Sequence, residues 1–245
     1  MRYDGVEAPE LAARLRTPGL LCLEEVTSTL DLAHELAREG APAGTVVLAD
    51  EQVKGRGRQG RYWHSPKGCG VWLGYIARPE SPLESGVLAL RVGLAVAEAL
   101  GALGCAARLK WPNDVILADR KAAGVLCEAR QAGAAGWIAI GIGVNVRGAL
   151  PEEIAATATV LEDHVRGMTR LAVLEALVPR LHELAYAPTL NDAEREAYAR
   201  YDWLDGRALL EPLAGTARGI APDGALLVET VGGTERVVGG SVRAA

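Results

Sequence analysis

The stretch that decides the fold reads Arg108-Leu-Lys-Trp-Pro-Asn-Asp-Val-Ile-Leu-Ala-Asp-Arg-Lys-Ala-Ala-Gly-Val-Leu-Cys-Glu128. Two short apolar runs, Arg108 to Trp111 and Val115 to Ala118, are broken by Pro-Asn-Asp, and Asp119-Arg120 turns tightly into a third run, Ala123 to Glu128. Strands joined by turns this short pair antiparallel, because a parallel pair needs a long crossover. Outward from this stretch the pattern alternates. Leu20 to Val26, Thr45 to Ala49, Gly70 to Ile76 and Trp137 to Val146 read as strands. Thr27-Ser28-Thr29 offers N-cap hydroxyls to a helix running to about Glu39, with Ala33, Leu36 and Ala37 on its apolar face and Gly40 as its stop. Residues 82 to 103 read as a long helix, and residues 170 to 202 as two helices around Pro188. Strands and helices in this order predict an α+β fold with a mixed sheet rather than a strict βαβ array. After Asp205-Gly206 the texture changes to short strands and turns such as Ala221-Pro-Asp-Gly224 and Val231-Gly-Gly-Thr234, which predicts a small C-terminal β-barrel. The expected domains are therefore 1–204 and 205–245.

A chain of 245 residues with 49% hydrophobic and 23% charged residues can bury a full core, which excludes disorder. Its formal net charge of −5 argues against general nucleic-acid or membrane-surface binding, so any anion site must be local. Cys22, Cys69, Cys105 and Cys127 form no CxxC pair, and His34, His64, His164 and His182 form no HxxxH or HExxH. This spacing argues against a structural zinc site and reads as reduced thiols in the cytoplasm. The start lacks an apolar leader segment. The most apolar stretch, Gly86 to Leu103, carries Arg91 and Glu98, as a buried helix would and a membrane span would not.

Local anion chemistry is concentrated in Gln52-Val-Lys-Gly-Arg-Gly-Arg-Gln-Gly-Arg-Tyr-Trp-His-Ser-Pro-Lys67. It holds five basic residues (Lys54, Arg56, Arg58, Arg61 and Lys67) and no acid. Glycines let the backbone approach a ligand, and arginine supplies forked donors for phosphate or carboxylate. A solvated surface loop is the bland alternative. Gly55-x-Gly57-x-x-Gly60 matches a dinucleotide fingerprint by letter, but Arg-Tyr-Trp-His-Ser-Pro follows it and opens no helix. Asn113 and Asp114, flanked by Lys110 and Lys121, could cap a turn between strands or face a polyanion and its cation. Gly141-Ile-Gly-Val-Asn145 ends a buried strand with one polar residue.

Together these segments resemble biotin protein ligase. The matching pieces are Thr27-Ser28-Thr29, Gln52, Gly55 to Trp63, Lys110-Trp-Pro-Asn-Asp114, Lys121-Ala-Ala-Gly-Val-Leu126 and Gly141-x-Gly-x-Asn145. The resemblance implies a biotin/lipoate ligase-like catalytic domain with an SH3-like C-terminal barrel. It implies that Ser28, Thr29 and Gln52 meet the ureido ring of biotin, that Arg56, Gly57 and Arg58 lie over biotin and the adenylate phosphate, and that Trp63 walls the ligand. Lys121 would sit between the biotin carboxylate and the α-phosphate. Arg58, Lys110, Asn113, Asp114, Lys121 and Asn145 would serve ATP, with Asp114 near Mg²⁺. Lys121, Arg56, Arg58 and Asp114 are the expected catalytic residues. Leu30 departs from the family, in which many members have Asn, and Asp31 is the neighbouring candidate to replace it.

The implied activity is that of a biotin–[biotin carboxyl-carrier protein] ligase. It joins biotin and ATP into biotinyl-5′-AMP, then transfers biotin to a lysine on the carrier protein of acetyl-CoA carboxylase. ATP, Mg²⁺ and biotin are the implied small molecules, with no tightly bound prosthetic group. The first matched motif begins at residue 27, which leaves little room for a DNA-binding domain of about 60 residues. A ligase-only, cytoplasmic homodimer without DNA is the expectation. The rivals are a lipoate or octanoate ligase or transferase and a non-catalytic binding module.

Overall fold

The computed structural model describes residues 2–80, 85–133 and 135–245. Its centre is a seven-stranded mixed sheet in the order β3-β4-β5-β9-β8-β7-β6. These strands are Leu20–Val26 (β3), Val46–Gln52 (β4), Gly70–Ala77 (β5), Arg108–Lys110 (β6), Asp114–Leu117 (β7), Arg120–Ala132 (β8) and Ala135–Asn145 (β9). β3 and β4 pair in parallel, and the remaining neighbours are antiparallel. The parallel pair is bridged by helix α2 (Thr29–Arg38), the crossover that a parallel connection requires. The deciding stretch forms the β6-β7-β8 meander, as its turns predict.

Two layers cover the sheet, and strand alternation assigns side chains to each. On one face α2 packs Leu30, Ala33 and Ala37 against Val47, Ile76, Trp137 and Ala139. On the other, Val46, Leu48, Tyr75, Ile138 and Ile140 meet the apolar helix α3 (Ser85–Ala102) and, past the short helix α4 (Glu152–Ala155), helix α5 (Arg170–His182). The period-2 split of β5 and β9 is what a sheet buried on both sides requires. Of the helix expected over residues 82 to 103, residues 82–84 lie outside the described residues. Pro188 falls between α5 and α6 (Asp192–Tyr201), which begins at a full capping box between Asn191 and Glu194.

The N-terminal segment was not expected as structure. A two-strand hairpin, β1 (Arg2–Tyr3) and β2 (Val6–Glu7), turns at Asp4-Gly5 with both φ angles positive and leads into α1 (Ala8–Leu15). Arg170 locks it to the core: its guanidinium binds Asp4, donates to Asp50 at 2.8 Å and lies 4.1 Å from the Tyr3 ring centre.

The strands Ala208–Glu211 (β10), Gly215–Ile220 (β11), Leu226–Thr230 (β12), Gly233–Val237 (β13) and Arg243–Ala244 (β14) form a five-stranded antiparallel sheet in the order β13-β12-β11-β10-β14. Among the described residues no pairing joins its outer strands β13 (Gly233–Val237) and β14 (Arg243–Ala244), so the expected barrel is an open sheet here. Register shifts interrupt the pairing of β10 with β14 and of β11 with β12, irregularities that locally disrupt the ladder and increase twist.

Candidate active site

Two glycine pairs shape the α2 face of the sheet. Gly74 of β5 stands opposite Gly141 of β9, and Gly124 of β8 opposite Gly143 of β9. A side chain at Gly74 would strike the backbone carbonyl of Thr29, so this glycine lets the N-terminus of α2 lie directly on the sheet. The second pair forms a slot that holds the Trp63 indole: a Cβ on Gly124 would lie 2.9 Å from Trp63 Cζ3, and one on Gly143 would collide with the indole nitrogen. That nitrogen is buried and finds no acceptor among the described residues.

Beside these pairs opens a cavity of about 490 Å³. Every residue to which the sequence assigned a role lines it. Ser28 and Thr29 come from the α2 N-terminus, Gln52 from the end of β4, and Arg56, Gly57, Arg58 and Trp63 from the glycine loop. Lys110, Asn113, Asp114 and Lys121 come from the meander and Asn145 from the end of β9. The cations in its lining (Arg56, Arg58, Arg61, Lys110 and Lys121) outnumber the acids (Asp114 and Asp119), which is the local anion site that a chain of net charge −5 demanded.

One end presents neutral hydrogen-bonding groups. Ser28 caps α2, its hydroxyl facing Asp31 N–H at 3.5 Å. Gln52 Oε1 accepts from both Thr29 N–H (2.9 Å) and Thr29 Oγ1 (3.0 Å), and its Nε2 donates to Ser65 Oγ at 2.8 Å. Those bonds fix the amide orientation, and they leave Ser28 a hydroxyl hydrogen to donate and Thr29 Oγ1 lone pairs to accept.

The other end is cationic. Lys121 Nζ pairs with Asp114 Oδ1 at 2.6 Å and lies 5.0 Å from the Trp63 ring centre. Arg58 Nη1 donates to Asn113 Oδ1 at 3.2 Å, while Asn113 Nδ2 donates to Val125 O at 2.8 Å. Asn113 thus ties the loop to β8 instead of closing a local turn. Burial lowers the Arg58 pKa, with Asp114 opposing and Arg61 adding to the shift. Lys110 is also lowered, mainly by burial, and its ammonium lies 5.3 Å from the Trp203 ring centre. Asn145 Nδ2 donates to Thr159 O at 3.2 Å.

The glycine loop makes contacts within itself and with its surroundings. Gly57 N–H donates to Arg61 O at 2.8 Å, Arg61 Nη2 donates to Ser241 Oγ at 3.1 Å, and Arg56 binds Asp31 and Glu128. Asp31 therefore does not take over the position of Leu30: it holds Arg56, while Leu30 lines the cavity beside Gly141. Ser65, Glu128 and His34 were missed by the sequence reading, and Asp31 was named only as a replacement for Leu30. The only sequence signal for Ser65 was its place within the loop, and none marked Glu128 or His34.

Residues 21–145 match the Biotin/lipoate A/B protein ligase family, and the chain belongs to that family. Within it, residues 207–243 match the Biotin protein ligase C terminal domain, which narrows the kinship to the biotin branch. The chain is 36% identical over 235 residues to the biotin–[acetyl-CoA-carboxylase] ligase of Paracoccus denitrificans, covering 87% of this chain and 95% of that protein. It is 33% identical over 232 residues to the bifunctional ligase/repressor BirA of Bacillus spizizenii, covering 89% of this chain and 71% of that protein. A biotin protein ligase from Aquifex aeolicus, solved with biotin and ATP, superposes with a TM-score of 0.78 at 30% identity, covering 93% of this chain and all of that one (100%).

Proposed function

We propose that the protein is an ATP-dependent biotin protein ligase that makes biotinyl-5′-AMP and transfers biotin to a lysine of a biotin carboxyl carrier protein. The observation that carries this reading is the polarity of this cavity. Neutral donors and acceptors stand at the α2 end, and fixed cations stand at the meander end. A ureido ring presents one acceptor oxygen and two N–H donors, which suit the free hydroxyl hydrogen of Ser28 and the lone pairs of Thr29. A lipoyl or octanoyl chain would leave these groups unpaired and is disfavoured accordingly.

In the first step a biotin carboxylate oxygen attacks the α-phosphorus of ATP, the bond to the β-phosphate breaks, and pyrophosphate leaves. Two anions must be brought together, so positioning and positive charge carry the catalysis. Arg56, Arg58 and Lys121 supply that charge, and Lys110, Asn113 and Asn145 stand ready for the nucleotide. The described residues hold no cluster of three or more His, Cys, Asp or Glu side chains fit to cage a metal. One carboxylate, Asp114, beside substrate phosphates is the donor set a Mg²⁺ carried by ATP uses. When bound, that ion would neutralise charge on the leaving pyrophosphate. In the second step the carrier lysine attacks the mixed anhydride carbonyl, AMP departs, and the amine loses a proton, for which Asp114 is the nearest acceptor in this reading. Trp63 and the glycine loop exclude water from the anhydride.

The reading extends to a catalytic unit over 1–204 and a smaller unit over 205–245, a homodimer, no DNA contact, and residence in the cytoplasm. The four free cysteines and the need for ATP support that location, and no described helix is long and apolar enough to cross a membrane. Pyrophosphate release with biotin or lipoate as the acid tests the function. Release with biotin, followed by labelling of a carrier domain, supports it. Release with lipoate alone, or binding of biotin without release, replaces it with one of the rivals.

A further inference from the structure

Glu128 belongs to none of the motifs that mark the cavity, yet it is the hub of a hydrogen-bond chain beneath the glycine loop. We propose that Glu128, oriented by His34 and Trp137, is the positioning residue that sets the loop arginine Arg56 for the reaction. The inference rests on the reading of the cavity just given.

The chain begins in the core. The Trp137 indole, 5% exposed, can only donate, and it does so to His34 Nδ1 at 2.9 Å. His34 Nδ1 is therefore the acceptor. Burial lowers the His34 pKa, with nearby Arg130 and Arg56 adding and Glu128 opposing, which favours the neutral ring. A neutral ring with Nδ1 unprotonated carries its hydrogen on Nε2, which points to Glu128 Oε2 at 3.3 Å. The tautomer is set from behind, and it gives Glu128 a fixed donor.

Glu128 then grips Arg56 with both oxygens: Nη2 meets Oε1 at 2.5 Å, and Nη1 meets Oε2 at 3.2 Å. Nη1 also donates to Asp31 Oδ1 at 2.6 Å. Arg130 stands 3.7 Å from Glu128 and completes the charges around it. A forked guanidinium–carboxylate pair fixes direction as well as distance. Arg56 retains Nε–H and one Nη2 hydrogen that these contacts do not use, the donors an anionic ligand can take.

The geometry comes from the sheet register. Gly124, Leu126 and Glu128 alternate onto the α2 face of β8, so the residue two steps beyond the cavity floor meets the loop from below. Asp31 and His34 lie three apart on α2; Asp31 reaches Arg56, and His34 reaches Glu128, the carboxylate that grips that arginine. The helix that presents Ser28 and Thr29 is in this way tied to the loop that presents Arg56.

The test uses the full chain with Glu128→Gln, which keeps shape and removes charge. Loss of the charge-assisted grip is expected to raise KM for biotin in pyrophosphate release on the order of tenfold, with kcat changed less than about threefold. Trypsin cleavage within the loop of the ligand-free protein is expected to quicken several-fold. Glu128→Asp, which keeps the charge, should recover part of both effects. Trp137→Phe, which keeps the apolar ring and deletes the donor, should move both readouts the same way by a smaller factor, and it carries the test if Glu128→Gln does not fold. A Glu128→Gln protein with KM, kcat and loop cleavage all within about twofold of the unchanged chain overturns the proposal. If the unchanged chain itself releases no pyrophosphate with biotin, the ligase reading fails, and the cleavage rates still decide whether Glu128 holds the loop.

Discussion

Lys121 Nζ and Asp114 Oδ1 stand 2.6 Å apart across the neighbouring strands β7 and β8. The pair joins the cation expected to meet both reactants with the carboxylate expected to receive the proton of the second step. It is part-exposed, at 32% and 26% of the two side chains, so it contributes little to stability and its importance is chemical. Lys121→Ala is expected to lower biotin-dependent pyrophosphate exchange on the order of 10²–10³-fold with the melting temperature nearly unchanged. Exchange at the unaltered rate would remove Lys121 from the first step. Asp114→Asn separates the steps: transfer from preformed adenylate should slow in this variant, and normal transfer would exclude Asp114 from the second.

The Trp63 slot gives a different prediction. Gly143→Ala sets a methyl group against the indole, a side chain that can move, and not against backbone. The fold should survive with a small change in melting temperature, while biotin affinity falls on the order of tenfold or more as Trp63 loses its seat. Isothermal titration with biotin measures this. Unchanged affinity would mean that Trp63 does not border the ligand.

Arg170 should be a stability residue without a catalytic part. Its side chain is 4% exposed and serves Asp4 and Asp50, both largely covered. Arg170→Met leaves Asp50 without its ion-pair partner and Asp4 with only Arg147, 3.6 Å away; breaking a buried pair in this way typically costs about 3–5 kcal/mol. For a chain of this size that corresponds to a melting temperature lower by roughly 6–20 °C. Release of the N-terminal hairpin should accompany it as faster hydrogen exchange at Tyr3 and Leu11. A loss below about 1 kcal/mol would show that the network is worth no more than a surface pair.

Asp202 predicts a pH dependence. Burial pushes its carboxyl up to about 6, from an ordinary value of 3.8. Its Oδ1 accepts from Leu204 N–H at 2.8 Å, and its Oδ2 has no hydrogen-bond partner among the described residues. Between these two values the folded chain keeps a proton that the unfolded chain releases. The stabilising contribution is full below the unfolded value and is lost as pH rises through the folded one. Asp202→Asn should flatten the fall in stability over that window, by roughly 1–3 kcal/mol in total. Denaturant titrations at pH 4.5 and 7.5 give the difference, and parallel curves for the two proteins would remove Asp202 as its source.

What was legible in the sequence follows the strength of the local signals. Leu20–Val26 is the strand its apolar run predicts, and the meander follows from its turns. The run Thr45 to Ala49 understates β4, which continues to Gln52 because Glu51 and Gln52 pair with Glu25 and Val26 of β3. The run Ala123 to Glu128 likewise understates β8, whose outer half is held by pairing with β9 and not by apolar burial. Asp4-Gly5 is a recognisable hairpin turn, but the strands it joins are two residues each and too short to carry a pattern. In the site, the basic loop and the Lys-Trp-Pro-Asn-Asp segment announce charge by themselves. Glu128 and His34 do not: an acid in a strand and a histidine in a helix acquire meaning only when the register of β8 and the packing of α2 bring them to Arg56.

The most direct measurement of the central claim is a reaction of the purified chain with biotin and ATP labelled at the α-phosphate, followed by addition of a biotin carrier domain. The account expects labelled biotinyl-AMP and pyrophosphate in equal amounts, then release of AMP as one carrier lysine becomes biotinylated. Biotin bound in the cavity while ATP stays intact would contradict it.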